Sequence, residues 1–151
     1  MRNFRICSTL ALIAFAGALV AAQAPTKIAT MADHIALMKS NTQANGTMNK
    51  ALASSAFADA RTAVATLKAN YTVMQTFWTE KKNAEALKVS SDGLARLTTL
   101  DNLLASPAPD QMAAQAAARE FGSNTCQACH KAMREGDNQT GFKFREGTNP
   151  F

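Results

Sequence analysis

The stretch FADARTAVATLKANYTVMQTFW, Phe57 to Trp78, decides the fold. Phe57, Val64, Tyr71 and Trp78 recur every seven residues, and Ala60, Leu67 and Met74 fill the intermediate positions. Apolar residues repeating in this way line one side of an α-helix, as the seam of a helical bundle requires. A helix is therefore predicted over about 55–81.

The flanking segments read the same way. A first helix is predicted over about 26–52, with Pro25 and Thr26 as start signals and an apolar stripe through Ile28, Met31, Ile35 and Met38. Asn45 and Gly46 interrupt it, as a kink or an early stop. A third helix, about 83–105, presents Leu87, Leu94, Leu97, Leu100 and Leu104, weakened by Gly93. The turn SPAPD follows, because residues before proline are pushed out of the helical region; Asp110 or Ser106 can cap the next helix, about 108–134. Short connections between long helices make neighbours antiparallel. The expected fold class is thus all-α, an up-down-up-down four-helix bundle over residues 23–136, with no internal repeat. Residues 137–151 are polar and glycine-punctuated, and are expected as an irregular tail that packs back through Phe142, Phe144 and Phe151.

The chain starts differently. Arg2 and Arg5 precede an apolar run of eleven residues, Leu10 to Val20, followed by the small residues of VAAQA. That is the layout of a secretory signal peptide over residues 1–22. The run falls well short of the ~20 residues a membrane-spanning helix needs, so no stable membrane anchor is expected. Cleavage after Ala22 satisfies the small-residue rule, whereas cleavage after Ala24 would place Pro25 just past the cut. The destination is periplasmic. Removal of 1–22 takes Cys7 away, leaving Cys126 and Cys129, and lowers the formal charge from +5 to +3, that is 14 Lys and Arg against 11 Asp and Glu. A balance so mild and evenly spread excludes a nucleic-acid partner.

The two remaining cysteines lie in SNTCQACHKAMREG, Ser123 to Gly136, with His130 directly after the second. At 3.6 residues per turn, Cys126, Cys129 and His130 span an arc of roughly 100° if the stretch is α-helical, so one flat ligand could meet all three. C-x-x-C-H is the attachment signature of a c-type haem: two thiols form thioethers to the vinyl groups, and the adjacent imidazole stands under the iron. A disulfide would leave His130 idle. A zinc site would need three or four ligands, which only His34 could help to supply. A thioredoxin-like redox pair belongs near a βαβ pattern, which this chain does not show.

With a C-x-x-C-H motif near the end of the last of four helices, the sequence resembles the class II cytochromes c, the family of cytochrome c prime and its low-spin relatives. The resemblance covers nearly the whole chain after the signal peptide in helix order and length. It implies one covalent haem c on the last helix, held by Cys126 and Cys129 with His130 as proximal ligand. It also implies that the first helix faces the other side of the haem. There HIALMK sets His34 where the family often has arginine and Met38 at the distal position. Met38 is the expected sixth ligand. His34 is a rival ligand, a propionate partner or a surface residue, and Met48 is a third candidate. Arg134, four residues past His130, matches a basic residue common in the family, while Met133 stands where an aromatic is usual. The resemblance further implies redox partner proteins and a possible homodimer through the first half of the bundle. The expected function is one-electron transfer by a His/Met-ligated haem rather than enzyme catalysis, since no base, nucleophile and oxyanion donors come together. The alternative is a five-coordinate haem that binds nitric oxide or carbon monoxide.

Overall fold

Thr30 and Asp33 start the first helix by a reciprocal capping box, in which the Thr30 side chain accepts from the Asp33 amide and the Asp33 carboxylate accepts from the Thr30 amide. This helix, α1 (Met31–Ala53), begins later than the 26–52 predicted because the box satisfies its first amides at Thr30. The computed structural model describes residues 24–137 and 141–151. The expected signal peptide, with Cys7, lies outside the described residues.

Three more long segments follow: α2 (Phe57–Glu80), α3 (Ala84–Leu104) and α4 (Gln111–Phe121). Asn83 and Asp110 cap α3 and α4 by accepting from the amides of Ala86 and Ala113, both at 3.0 Å. A π-helical turn, Gly122–Gln127, and a short α5, Ala128–Met133, continue α4. The predicted fourth helix therefore has nearly its expected extent, but it is interrupted by a π turn that includes Cys126. Asn45 and Gly46 do not break α1, since Gly46 lies in open space and Ala44 and Met48 are buried on either side.

Pairs across the helices define the packing. Asn70 of α2 donates to Ser40 and Asn41 of α1 at 2.9 Å, and Arg61 and Lys68 of α2 both reach Asp101 of α3. Arg96 of α3 meets Glu120 of α4, and Gln111 at the start of α4 donates to the carbonyl of Leu52 at the end of α1. Each pair joins the late part of one helix to the early part of the next, or lies symmetrically about the turn between them. The four helices therefore run alternately up and down, and the last closes against the first. Among the described residues no helix is long and apolar enough to cross a membrane.

The predicted seam is the core: Ala60, Val64, Leu67, Tyr71, Met74 and Trp78 are all buried. Leu37, Met48, Leu52, Leu97, Leu100 and Phe121 join them. Each large apolar side chain so buried contributes about 1.5–3 kcal/mol. The inner faces of the first and third helices match the predicted ones only in part: Ile28, Leu97, Leu100 and Leu104 are buried as expected. In α1, Met31 and Ile35 are exposed, and the buried residues are Leu37, Ala44, Met48, Ala51 and Leu52. In α3 the innermost positions include the small residues Ala86, Ser90 and Gly93, with Leu87 and Leu94 only partly covered. Close approach of neighbouring helices selects small residues there.

The irregular tail predicted after Asp137 is instead half ordered as a hairpin. Strand β1 (Arg134–Asp137) pairs antiparallel with β2 (Gly141–Phe144), Arg134 opposite Phe144 and Asp137 opposite Gly141. Gly136 and Gly141 take positive φ, 87° and 77°, which glycine alone adopts without strain. The Arg134 guanidinium lies 3.9 Å from the Phe142 ring centroid, and Lys143 reaches Glu135 at 3.1 Å. A cation over an aromatic face and a cross-strand ion pair hold the register.

Candidate functional site

The π turn brings the motif against α2 and α3. Its i→i+5 register widens the turn, so Cys126 and the residues after it are not related by the uniform 100° steps of an α-helix. Thr125 shows the change of register directly. Thr42, Thr62, Thr66, Thr72, Thr76 and Thr79 each donate to the carbonyl four residues back, whereas the fully buried Thr125 hydroxyl has no partner.

Gly93 makes room for this packing. A Cβ at position 93 would lie 2.5 Å from Thr125 Cγ2 and 2.7 Å from Tyr71 Cε1. With that space free, the Tyr71 ring packs edge-on to Phe121 and its hydroxyl rests 3.7 Å from Cys126 Sγ. Sequence reading noted Gly93 only as a weak point of α3 and Tyr71 as seam. Nothing in the periodicity distinguishes a seam tyrosine whose hydroxyl meets a thiol.

Cys126 and Cys129 are half-buried free thiols. Burial raises both above the ordinary thiol range, Cys129 to about 11, where Cys126 and Glu85 add to the effect and Arg134 opposes it. Both are therefore neutral at physiological pH. Cys129 Sγ also lies 3.9 Å from the sulfur of buried Met133, the residue standing where the resemblance leads one to expect an aromatic. Arg134 sits directly after α5; burial lowers the pKa of His130, and the charge of Arg134 adds to that effect. It is not a freely solvated helix-end cation, because its guanidinium is stacked on Phe142.

The first helix, α1, contributes His34 and Met38. His34 is not a bare surface residue. Its ring lies 6.2 Å from Phe77, 6.3 Å from Trp78, 5.3 Å from Phe144 and 6.1 Å from Phe151. It is also near enough to His130 for the two charges to interact. Met38, one turn further on, is partly buried against the core, and Met48 is fully buried inside it. The aromatic wall was legible in the sequence only as seam residues and tail phenylalanines, not as one cluster.

The chemistry of this donor set fits the attachment of a c-type haem: two unpaired thiols and an imidazole within five residues that run from the π turn into α5, with Tyr71 beside Cys126. The buried Trp78 indole N–H and the Thr125 hydroxyl both lack partners, so polar capacity is unspent beside His34 and beside Cys126. A groove of about 670 Å³ lies elsewhere, between α1 and α2, lined by Ala44, Thr47, Asp59 and Thr66 among others.

The two histidines give the haem-free chain a defined pH response. Burial holds His34 below its ordinary value of 6.5, with the charge of His130 adding to this, and burial and then Arg134 hold His130 down. Both imidazoles take up protons more readily in the unfolded chain, so stability is complete above the ordinary imidazole range and falls as pH drops through about 6.5 and below. Urea midpoints of the haem-free chain are expected to be lower at about pH 5.5 than at about pH 7.5, and His34→Gln should flatten that difference. No protein-family model, no curated protein and no solved structure matches this chain significantly.

Proposed function

We propose that this protein is an exported monohaem c-type cytochrome that carries single electrons in the periplasm. The observation that carries the reading is the placement of free Cys126 and Cys129, with His130 next to them, on the last helical segment of an up-and-down helical bundle. When bound, the haem supplies a one-electron couple between ferrous and ferric iron.

The residues divide the remaining work. Cys126 and Cys129 would hold the group through thioethers, and His130 would ligate its iron. Tyr71 keeps Cys126 Sγ facing the core. Phe77 and Trp78 exclude water, which limits solvent reorganisation when charge changes. Met38 would offer the group a thioether, which would raise its potential. His34, with its neighbour Trp78, provides hydrogen-bonding capacity for the acidic edge of the group. Redox partner proteins supply and accept the electrons.

Maturation in cells equipped for c-type haem attachment tests this. The purified protein is expected to gain the mass of one haem, retained after denaturation. The reduced wild type should give a low-spin spectrum that carbon monoxide leaves unchanged, and Met38→Ala should bind carbon monoxide readily. Ready binding by the wild type would instead establish the five-coordinate, gas-binding alternative. A colourless product with free or bridged thiols would remove the cytochrome reading.

A further inference from the structure

We propose that Gly141–Phe151 forms a strap over the Cys126–Cys129–His130 face, and that Phe144 and Phe151 decide what reaches it. The inference takes from the reading above only the identity of the face that is covered.

The strap is tied down at both ends. Near the motif, the backbone amide of Arg145 donates to the carbonyl of Met133 at 2.9 Å, the Thr148 hydroxyl donates to the same carbonyl at 3.1 Å, and Arg145 Nε donates to the carbonyl of Arg134 at 3.2 Å. Those carbonyls end α5, the helix that carries Cys129 and His130. At the other end Phe151 stacks on Phe77 of α2, with centroids 5.4 Å apart and planes inclined by 24°. Phe144 is partly buried against the core and packs on His34 of α1. Lys81 Nζ lies 5.6 Å from the Phe77 ring and 5.5 Å from the Phe151 ring, so one cation bridges the pair.

These contacts join the motif-bearing helix to the two helices opposite it. Phe142, exposed like Phe151, touches Arg134 rather than the cluster. The strap is also separable from the bundle. Its attachments are a few hydrogen bonds and ring contacts at a half-exposed surface, which open at lower free energy than the seam residues beneath. Whatever approaches that face past His34 and Phe77 therefore has to displace Phe144 and Phe151. The same two rings close again behind it.

Alkylation of the two thiols by iodoacetamide measures this opening in the full chain, produced without haem and kept reduced. Both thiols are half-buried, so the wild type should react slowly. Phe144→Ala/Phe151→Ala is expected to react about tenfold faster, because the rings that close the face are gone. Thr148→Val should give a smaller acceleration, and Phe142→Ala none. Circular dichroism identifies any variant that has lost its helices. If the double variant loses them, Thr148→Val decides. An unaccelerated double variant with intact helices, an unaccelerated Thr148→Val, or an equal acceleration by Phe142→Ala would each overturn the strap. In the haem-loaded chain, a Met38→Ala background should take up carbon monoxide faster when the two phenylalanines are also removed, and an unchanged rate counts against the strap. A chain that never acquires haem refutes the cytochrome reading and leaves the thiol comparison standing.

Discussion

Gly93→Val is expected to lower the unfolding free energy by about 3 kcal/mol or more, the range of severe overpacking in a filled core. The first added carbon would already lie 2.5 Å from Thr125 Cγ2 and 2.7 Å from Tyr71 Cε1. Neither neighbour yields easily. Tyr71 is buried with its ring edge against Phe121, and Thr125 is a β-branched residue buried in the π turn. Two further methyl groups make the conflict worse. Alanine at the same site is the informative control, because it improves helix propensity by about 1 kcal/mol while adding only the clashing carbon. Steric conflict should win, leaving Gly93→Ala about 1–2 kcal/mol less stable than the wild type. At ~2–4 °C per kcal/mol for a chain of this size, the valine variant should melt at least about 6 °C lower. An alanine variant more stable than the wild type would show that Tyr71 and Thr125 move aside freely, and with them the packing ascribed to Cys126.

Cys126→Ala/Cys129→Ala is expected to abolish covalent haem attachment altogether while leaving the fold in place. Two half-buried thiols replaced by methyl groups remove little packing, about 1 kcal/mol each. Loss of both sulfurs removes every thioether the described chain can form, since these are its described cysteines. Intact mass after maturation, read beside helical circular dichroism, separates the two effects. Each single variant should keep one thioether and so retain haem after denaturation in reduced yield. Haem still bound covalently to the double variant would assign attachment to other residues, whereas a double variant that fails to fold would assign the cysteines a structural role.

Much of the bundle was legible because its signals are local. The seam from Ala60 to Trp78 is buried as its seven-residue spacing requires, and Asp110 caps α4 as the turn before it suggests. The attachment candidates were equally legible, because C-x-x-C-H is a statement of residue types and spacing. Less legible were surfaces where size misleads. Met31 and Ile35 look like core and are exposed, whereas Ala86, Ser90 and Gly93 look unremarkable and face inward. Periodicity shows that a helix has an apolar side, but the distance of the neighbouring helix decides which residues occupy it.

The tail illustrates the same division. Glycines at 136 and 141 and alternating phenylalanines at 142 and 144 are compatible with a hairpin, yet two strands alone are only marginally stable in water. What orders them is contact with Met133 at one end and with His34 and Phe77 at the other. The sequence by itself determined the helices, their order and the position of the thiol and imidazole donors, since these follow from spacing along one chain. Only the tertiary structure decided that Tyr71 meets Cys126 through the gap at Gly93, that the fourth helix takes π register from Gly122 through Gln127, and that Phe144 and Phe151 pack on His34 and Phe77. Those features depend on how closely segments distant in sequence can approach, a property of packing volume that linear spacing does not encode.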